Sequence, residues 1–133
     1  MESISLEDAR RVIAAAEAKA KEIGQPMDIA VCDDGGNLRA HVRMDGAFIG
    51  SIQISINKAY SAIAFQTSTK DLVDVTQSGQ PLFGLSDAAG GRIVIFAGGI
   101  PLKRDGQVVG AVGVSSGTVE QDQAVAEAGA AAF

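Results

Sequence analysis

The sequence has no tryptophan, one tyrosine, one histidine, one cysteine and three prolines in 133 residues, and aromatic residues make up only 5% of it. Each scarcity narrows the field. A single cysteine, Cys32, forms no internal disulfide, so nothing demands an oxidising compartment. One histidine and one cysteine exclude a zinc site built from several His and Cys ligands, and no metal site is expected. Basic residues are in deficit too. The formal net charge is −5 with no basic cluster, a poor match for nucleic acid or anionic membranes. No apolar run is long enough to span a bilayer: the least charged stretch, residues 46–69, holds Lys58 and is dotted with Ser, Gln and Asn. Met1-Glu2-Ser3 runs directly into a charged amphipathic pattern rather than a signal peptide, which points to the cytoplasm.

What is present is a globular composition, with 47% apolar and 20% charged residues. The length suits one domain over 1–133, able to bury a core without disulfide or metal. Ten of the 16 glycines fall between Gly79 and Gly117, so turns and close backbone approaches concentrate in the second half.

Periodicity supplies the elements. From Ser5 to Ile23, Leu6, Ala9, Ile13, Ala16, Ala20 and Ile23 line one helical face, with Ser5 and Asp8 spaced as a capping box and Gly24 as the stop. Met27 to Asp33 reads as a strand, Asp34-Gly35-Gly36-Asn37 as a hairpin turn, and Leu38 to Arg43 as the returning strand. Asp45 to Gln66 reads as a helix whose back is Gly, Ser, Asn and Ala rather than charge, which predicts cover from its own sheet and from a partner subunit. A short helix is expected over Thr69 to Thr76, a loop over Gln77 to Ala89, and strands over Arg92 to Phe96, Ile100 to Lys103 and Gln107 to Val114. Val119 to Phe133 closes the chain as an Ala-rich helix, capped by Thr118 with Gln121 reciprocating. Successive hairpins predict a mostly antiparallel sheet with helices on its faces, an α+β domain.

Familiar catalytic signatures are missing. There is no phosphate-binding G-x-x-x-x-G-K-[ST], no G-x-G-x-x-G after a strand and no G-x-S-x-G elbow. Position 2 is Glu, so an N-terminal proline base is unavailable.

Several segments together resemble a known family. They are Ala30-Val31-Cys32-Asp33-Asp34-Gly35-Gly36-Asn37-Leu38, Arg43-Met44-Asp45-Gly46-Ala47, Asn57-Lys58-Ala59-Tyr60-Ser61-Ala62, Gly98-Gly99-Ile100-Pro101, Gly110-Ala111-Val112-Gly113-Val114-Ser115, and Asp122 with Ala128-Gly129-Ala130-Ala131. Their order and spacing, over nearly the whole chain, resemble the GlcG/HbpS-like family, which includes the C-terminal domain of PduO-type proteins. The resemblance implies a profilin-like three-layer α/β/α fold around a five-stranded antiparallel sheet. It also implies homo-oligomers, from dimers to octamers, and either haem binding or an accessory role in catabolic operons. The sequence departs from the pattern at Ser61, where Thr is common, and at Ser116, where Gly is common. Conventional haem ligands here are His41, Cys32, Tyr60 and three methionines.

The candidate site residues follow from charge in neutral surroundings. Lys58, alone on an uncharged helix, reads as an anion-binding or proton-transfer lysine, or else as half of a salt bridge to Asp33, Asp45 or Glu120. Arg43 can join it to grip a carboxylate, or remain a strand-end charge. His41, on the Arg39/Arg43 face, is either an acid-base or a packing residue. Cys32 reads as core. Gly98-Gly99 offers backbone N–H groups or simply a turn, and Ser115 leads into a helix start that is an anion site or plain capping. Glu120 and Asp122 oppose an anion there unless one acts as a base. The matched segments also place Asp33, Ser61 and Asp122 in the ligand-binding set.

Three functions follow. The first is a small-ligand protein binding haem or a small carboxylate or carbonyl metabolite. The second is an isomerase, hydratase or lyase using Lys58 with His41 or Glu120. The third is a non-catalytic oligomeric accessory protein.

Overall fold

The computed structural model describes residues 3–133. Its elements run α1 (Leu6–Ile23), β1 (Asp28–Asp33), β2 (Leu38–Arg43), α2 (Gly50–Phe65), β3 (Gly99–Arg104), β4 (Gln107–Ser115) and α3 (Val119–Ala131), with short 3-10 turns at Thr69–Leu72, Asp74–Thr76 and Leu85–Gly91.

Local chemistry sets the helix ends. The Ser5 hydroxyl accepts from the Asp8 backbone N–H, the Asp8 carboxylate accepts from the Ser5 backbone N–H, and Gly24 closes α1 in the left-handed region at φ 71°. Thr118 and Gln121 repeat the reciprocal capping at α3. Helix α2 has no side-chain cap at all. It begins at Gly50 rather than Asp45, because Gly46 stands at φ 90° and breaks the helical path.

The strands form one antiparallel sheet in the order β2-β1-β4-β3. The expected α+β class and antiparallel sheet hold, but the sheet has four strands, not five. Arg92 to Phe96 forms no ladder, because a hydroxyl on α2 takes its backbone groups. Ser61 Oγ accepts from the Val94 N–H at 2.8 Å, and its proton is shared between the Asn57 carbonyl at 2.7 Å and the Arg92 carbonyl at 3.2 Å. The expected helix over Thr69 to Thr76 is likewise two 3-10 turns.

Period-two alternation splits the sheet into two faces. Ile29, Val31, Leu102, Val112 and Val114 pack with Val12, Ile13, Ala16 and Val125 in a core under α1 and α3. Ala30, Cys32 and Ala111 meet Ala59, Ala62 and Ile63 of α2 on the other face. The result is three layers. Small residues let α2 lie close on its face: a Cβ on Gly113 would collide with the Ser55 carbonyl and the Ala59 N–H, and one on Gly99 would meet the Lys58 carbonyl at 2.5 Å. No helix among the described residues is long and apolar enough to cross a membrane.

Candidate functional site

Close approach of α2 to the sheet carries Lys58 into the interior, where it is 0% exposed. Its ammonium donates to the Val114 carbonyl at 2.8 Å and to Asp122 Oδ2 at 2.9 Å. The Phe96 ring centroid lies 5.1 Å away, within cation–π range. Asp122 Oδ1 accepts from the Gly117 N–H at 2.9 Å. Every neighbour therefore supports a charged pair. Burial pushes Lys58 down and Asp122 up, and their mutual attraction opposes both shifts. The glycines make the channel: a Cβ on Gly98 would stand 2.8 Å from Nζ.

Lys58 is thus paired with Asp122, not with Asp33, Asp45 or Glu120 as the sequence suggests. The other residues expected near a ligand hold structure in this chain. Asp33 Oδ1 accepts from the N–H groups of Gly35 and Asn37 and shapes the hairpin turn. Ser61 ties down the segment after Gly91. The N–H groups of Gly98 and Gly99 are not free: they donate to Gln123 Oε1 and Thr69 Oγ1. Ser115 Oγ donates to Ser51 Oγ. Glu120 is exposed in the first turn of α3, and no hydrogen bond among the described residues joins Lys58 to it or to His41.

His41 and Arg43 lie apart from that pair, on β2, an edge strand. The His41 imidazole is half-buried, which lowers its pKa. Its Nε2 lies 3.2 Å from Ser55 Oγ, whose own proton goes to the Ile52 carbonyl. The hydroxyl therefore accepts from Nε2, and the neutral ring's lone pair is left on Nδ1. Cys32 is core, as read, and its thiol is pushed up to about 12 by burial.

Asp28 was not legible as a functional residue. It is fully buried at the start of β1, and neither carboxyl oxygen has a hydrogen-bond partner. Desolvation raises its pKa to about 6, partly opposed by Arg43. Alternation puts it on the α2 face with Ala30 and Cys32; that parity was the available signal.

Two clefts adjoin between α1 and β2. One, of about 430 Å³, is lined by Leu6, Arg10, Ile13, Ala14, Glu17, Ala40, His41 and Val42. The next, of about 420 Å³, shares Glu17 and Val42 and adds Lys21, Arg43, Met44 and Asp45. Together they offer an aliphatic middle with cations toward both ends.

These features define a small three-layer α/β/α domain with a sealed ion pair inside and an open groove along one sheet edge. The family model described as haem degrading protein HbpS-like matches residues 4–131, and the chain belongs to this HbpS-like family. An uncharacterised 15.0 kDa protein of the dhaT-dhaS intergenic region of Citrobacter freundii is 48% identical over 125 residues, 94% of this chain and 88% of that protein. The crystal structure of Klebsiella pneumoniae ORFY superposes with a TM-score of 0.98 at 44% identity, covering 100% of this chain and 92% of that one. A complex of PduOC with haem superposes at 0.95 with 35% identity, covering 98% and 95%.

Proposed function

We propose that this chain binds haem in the groove between α1 and β2, as a cytoplasmic homo-oligomer serving a catabolic pathway. The groove carries the reading. Its aliphatic walls (Leu6, Ile13, Ala40, Val42) suit a flat apolar macrocycle, and a cation stands near each end, Arg10 at one and Lys21 at the other, to pair with the two carboxylates that haem carries along a single edge. Glu17, where the clefts meet, repels carboxylates and favours placing both at one end, away from the middle. The donor chemistry agrees. Cys32 is sealed as a thiol and Met27 is fully buried, while Tyr60 lies beneath the Arg92 guanidinium and lines neither cleft. Met44 lines the groove, and His41 borders it with a neutral ring turned toward Ser55. Met1 lies outside the described residues; among the described ones Met44, or the free Nδ1 of His41, would hold the iron, which when bound supplies a ligand-binding or redox centre. The haem complex of PduOC, at 35% identity, supports the same reading.

A role for Lys58 as an acid-base loses support from its burial and its bond to Asp122. The oligomer is supported by Phe48 and Ile49, which stand 68% and 76% exposed beside α2.

Haem titration followed at the Soret band tests the proposal. Saturation at one haem per chain, with at least a tenfold loss of affinity in the Arg10→Glu/Lys21→Glu variant, is expected. Absence of a saturable band, or full affinity in a folded double variant, overturns it. A small carboxylate that shifts backbone resonances of α1 and β2 in haem-refractory protein would favour the metabolite instead.

A further inference from the structure

Asp28 is the one buried side chain among the described residues whose polar atoms lack any partner. A native structure holds such a group only where something else compensates it. Its neighbours on the α2 face are few. Arg43 is its register partner on β2 and Ser115 its partner on β4, so all three side chains share that face. His41, one pair further along β2, is bonded to Ser55. Helix α2 contributes Ser51 and Ser55 nearby, and its cation Lys58 is held by Asp122. Arg43 is therefore the cation opposite Asp28 and makes no ion pair.

The Arg43 guanidinium donates instead to the Ala47 carbonyl at 3.1 Å, and the Ala47 N–H donates to the Met44 carbonyl at 3.0 Å. Arg43 thus fastens the turn that feeds the uncapped start of α2. Phe48 and Ile49 project from this turn. Its second tether is the Phe48 N–H donating to Ser116 Oγ at 2.8 Å, and Ser116 is held at φ 111°, a strained value for a residue with a Cβ.

We propose that Asp28 and Arg43 form a proton-controlled latch on the turn between β2 and α2. With the Asp28 carboxyl protonated, Arg43 holds Ala47 and the turn is closed. When the proton leaves to solvent, the buried carboxylate draws the guanidinium across the strand pair, and the turn bearing Phe48 and Ile49 is released. The buried site shifts this event toward neutral pH.

The absence of tryptophan makes the test clean. In Phe48→Trp, emission followed from about pH 4 to about pH 8 should show one transition at or below about pH 6, because pairing with Arg43 favours loss of the proton. The transition should vanish in Phe48→Trp/Asp28→Asn and persist in Phe48→Trp/His41→Gln. Its midpoint should not move with protein concentration. In the unmodified chain, hydrogen-exchange protection over residues 44–51, corrected for intrinsic exchange, should fall through the same range. A transition that survives Asp28→Asn, disappears with His41→Gln, shifts with concentration, or is absent from both measurements overturns the latch.

Discussion

Lys58 on α2 and Asp122 on α3 meet 2.9 Å apart with both side chains out of solvent, joining a helix on one face of the sheet to a helix on the other. The link passes the end of β4, where Val114 and Gly117 supply the remaining polar partners. Removing one member strands the other's charge in a dry interior, at a cost of about 3–5 kcal/mol. Lys58→Met should therefore lower stability in urea by about that amount, whereas Lys58→Met/Asp122→Leu should recover at least half of it. Equal losses in the single and double variants would show that the methylene packing of Lys58, not its charge, holds the layers together.

The approach of α2 to the sheet gives a second prediction. At Gly113 any Cβ collides with backbone of α2, which has no flexible end to move aside. Gly113→Ala should cost about 2–3 kcal/mol or more, toward the upper end for overpacked cores. At Gly50 a Cβ meets nothing within 4 Å and the backbone is helical. Gly50→Ala should raise stability by about 0.5–1 kcal/mol through helix propensity. Thermal unfolding of both variants checks the contrast.

Asp28 predicts an inverted pH profile. Its pKa rises from 3.8 to about 6 on folding, so between those values the folded state holds a proton that the unfolded state has lost. Stability from this group is complete below pH 3.8 and declines as pH rises to about 6, a loss of up to ~3 kcal/mol at 1.36 kcal/mol per unit. Asp28→Asn should remove that decline. Urea midpoints across this range, wild type against variant, measure the difference directly.

Much of the fold was legible because its determinants are local. Ser5, Asp8 and Gly24 bound α1, and Thr118 with Gln121 starts α3, each within a few residues of sequence. The fifth strand failed for the opposite reason. Arg92 to Phe96 has strand-like residues, but its backbone is captured by Ser61, about thirty residues earlier in the chain. A lone Lys58 on a neutral helix signalled a buried charge correctly. Its partner, 64 residues away, looked like an ordinary first-turn acid suited to the α3 dipole. Nothing in spacing distinguishes Asp122 from Glu120. Asp28 was readable by parity with Ala30 and Cys32, yet an acid near the start of a strand is usually taken as solvated, and its flanking partners, Arg43 on β2 and Ser115 on β4, are distant in sequence.

Cys32 supplies the last prediction. Its side chain is sealed between β1 and α2, and burial pushes the thiol up to about 12. The thiolate is the reactive species, so at neutral pH the thiol should ignore an aromatic disulfide reagent in the folded protein. Labelling should appear only as the chain opens, with one thiol released per chain in denaturant. Because Cys32 lies beneath α2, its labelling rate reports how often that helix lifts from the sheet. Gly113→Ala should therefore raise the rate by at least tenfold at constant pH, while Gly50→Ala should not. A fast reaction in the intact wild-type protein would mean that α2 opens far more readily than its packing on Ala30, Cys32 and Ala111 allows.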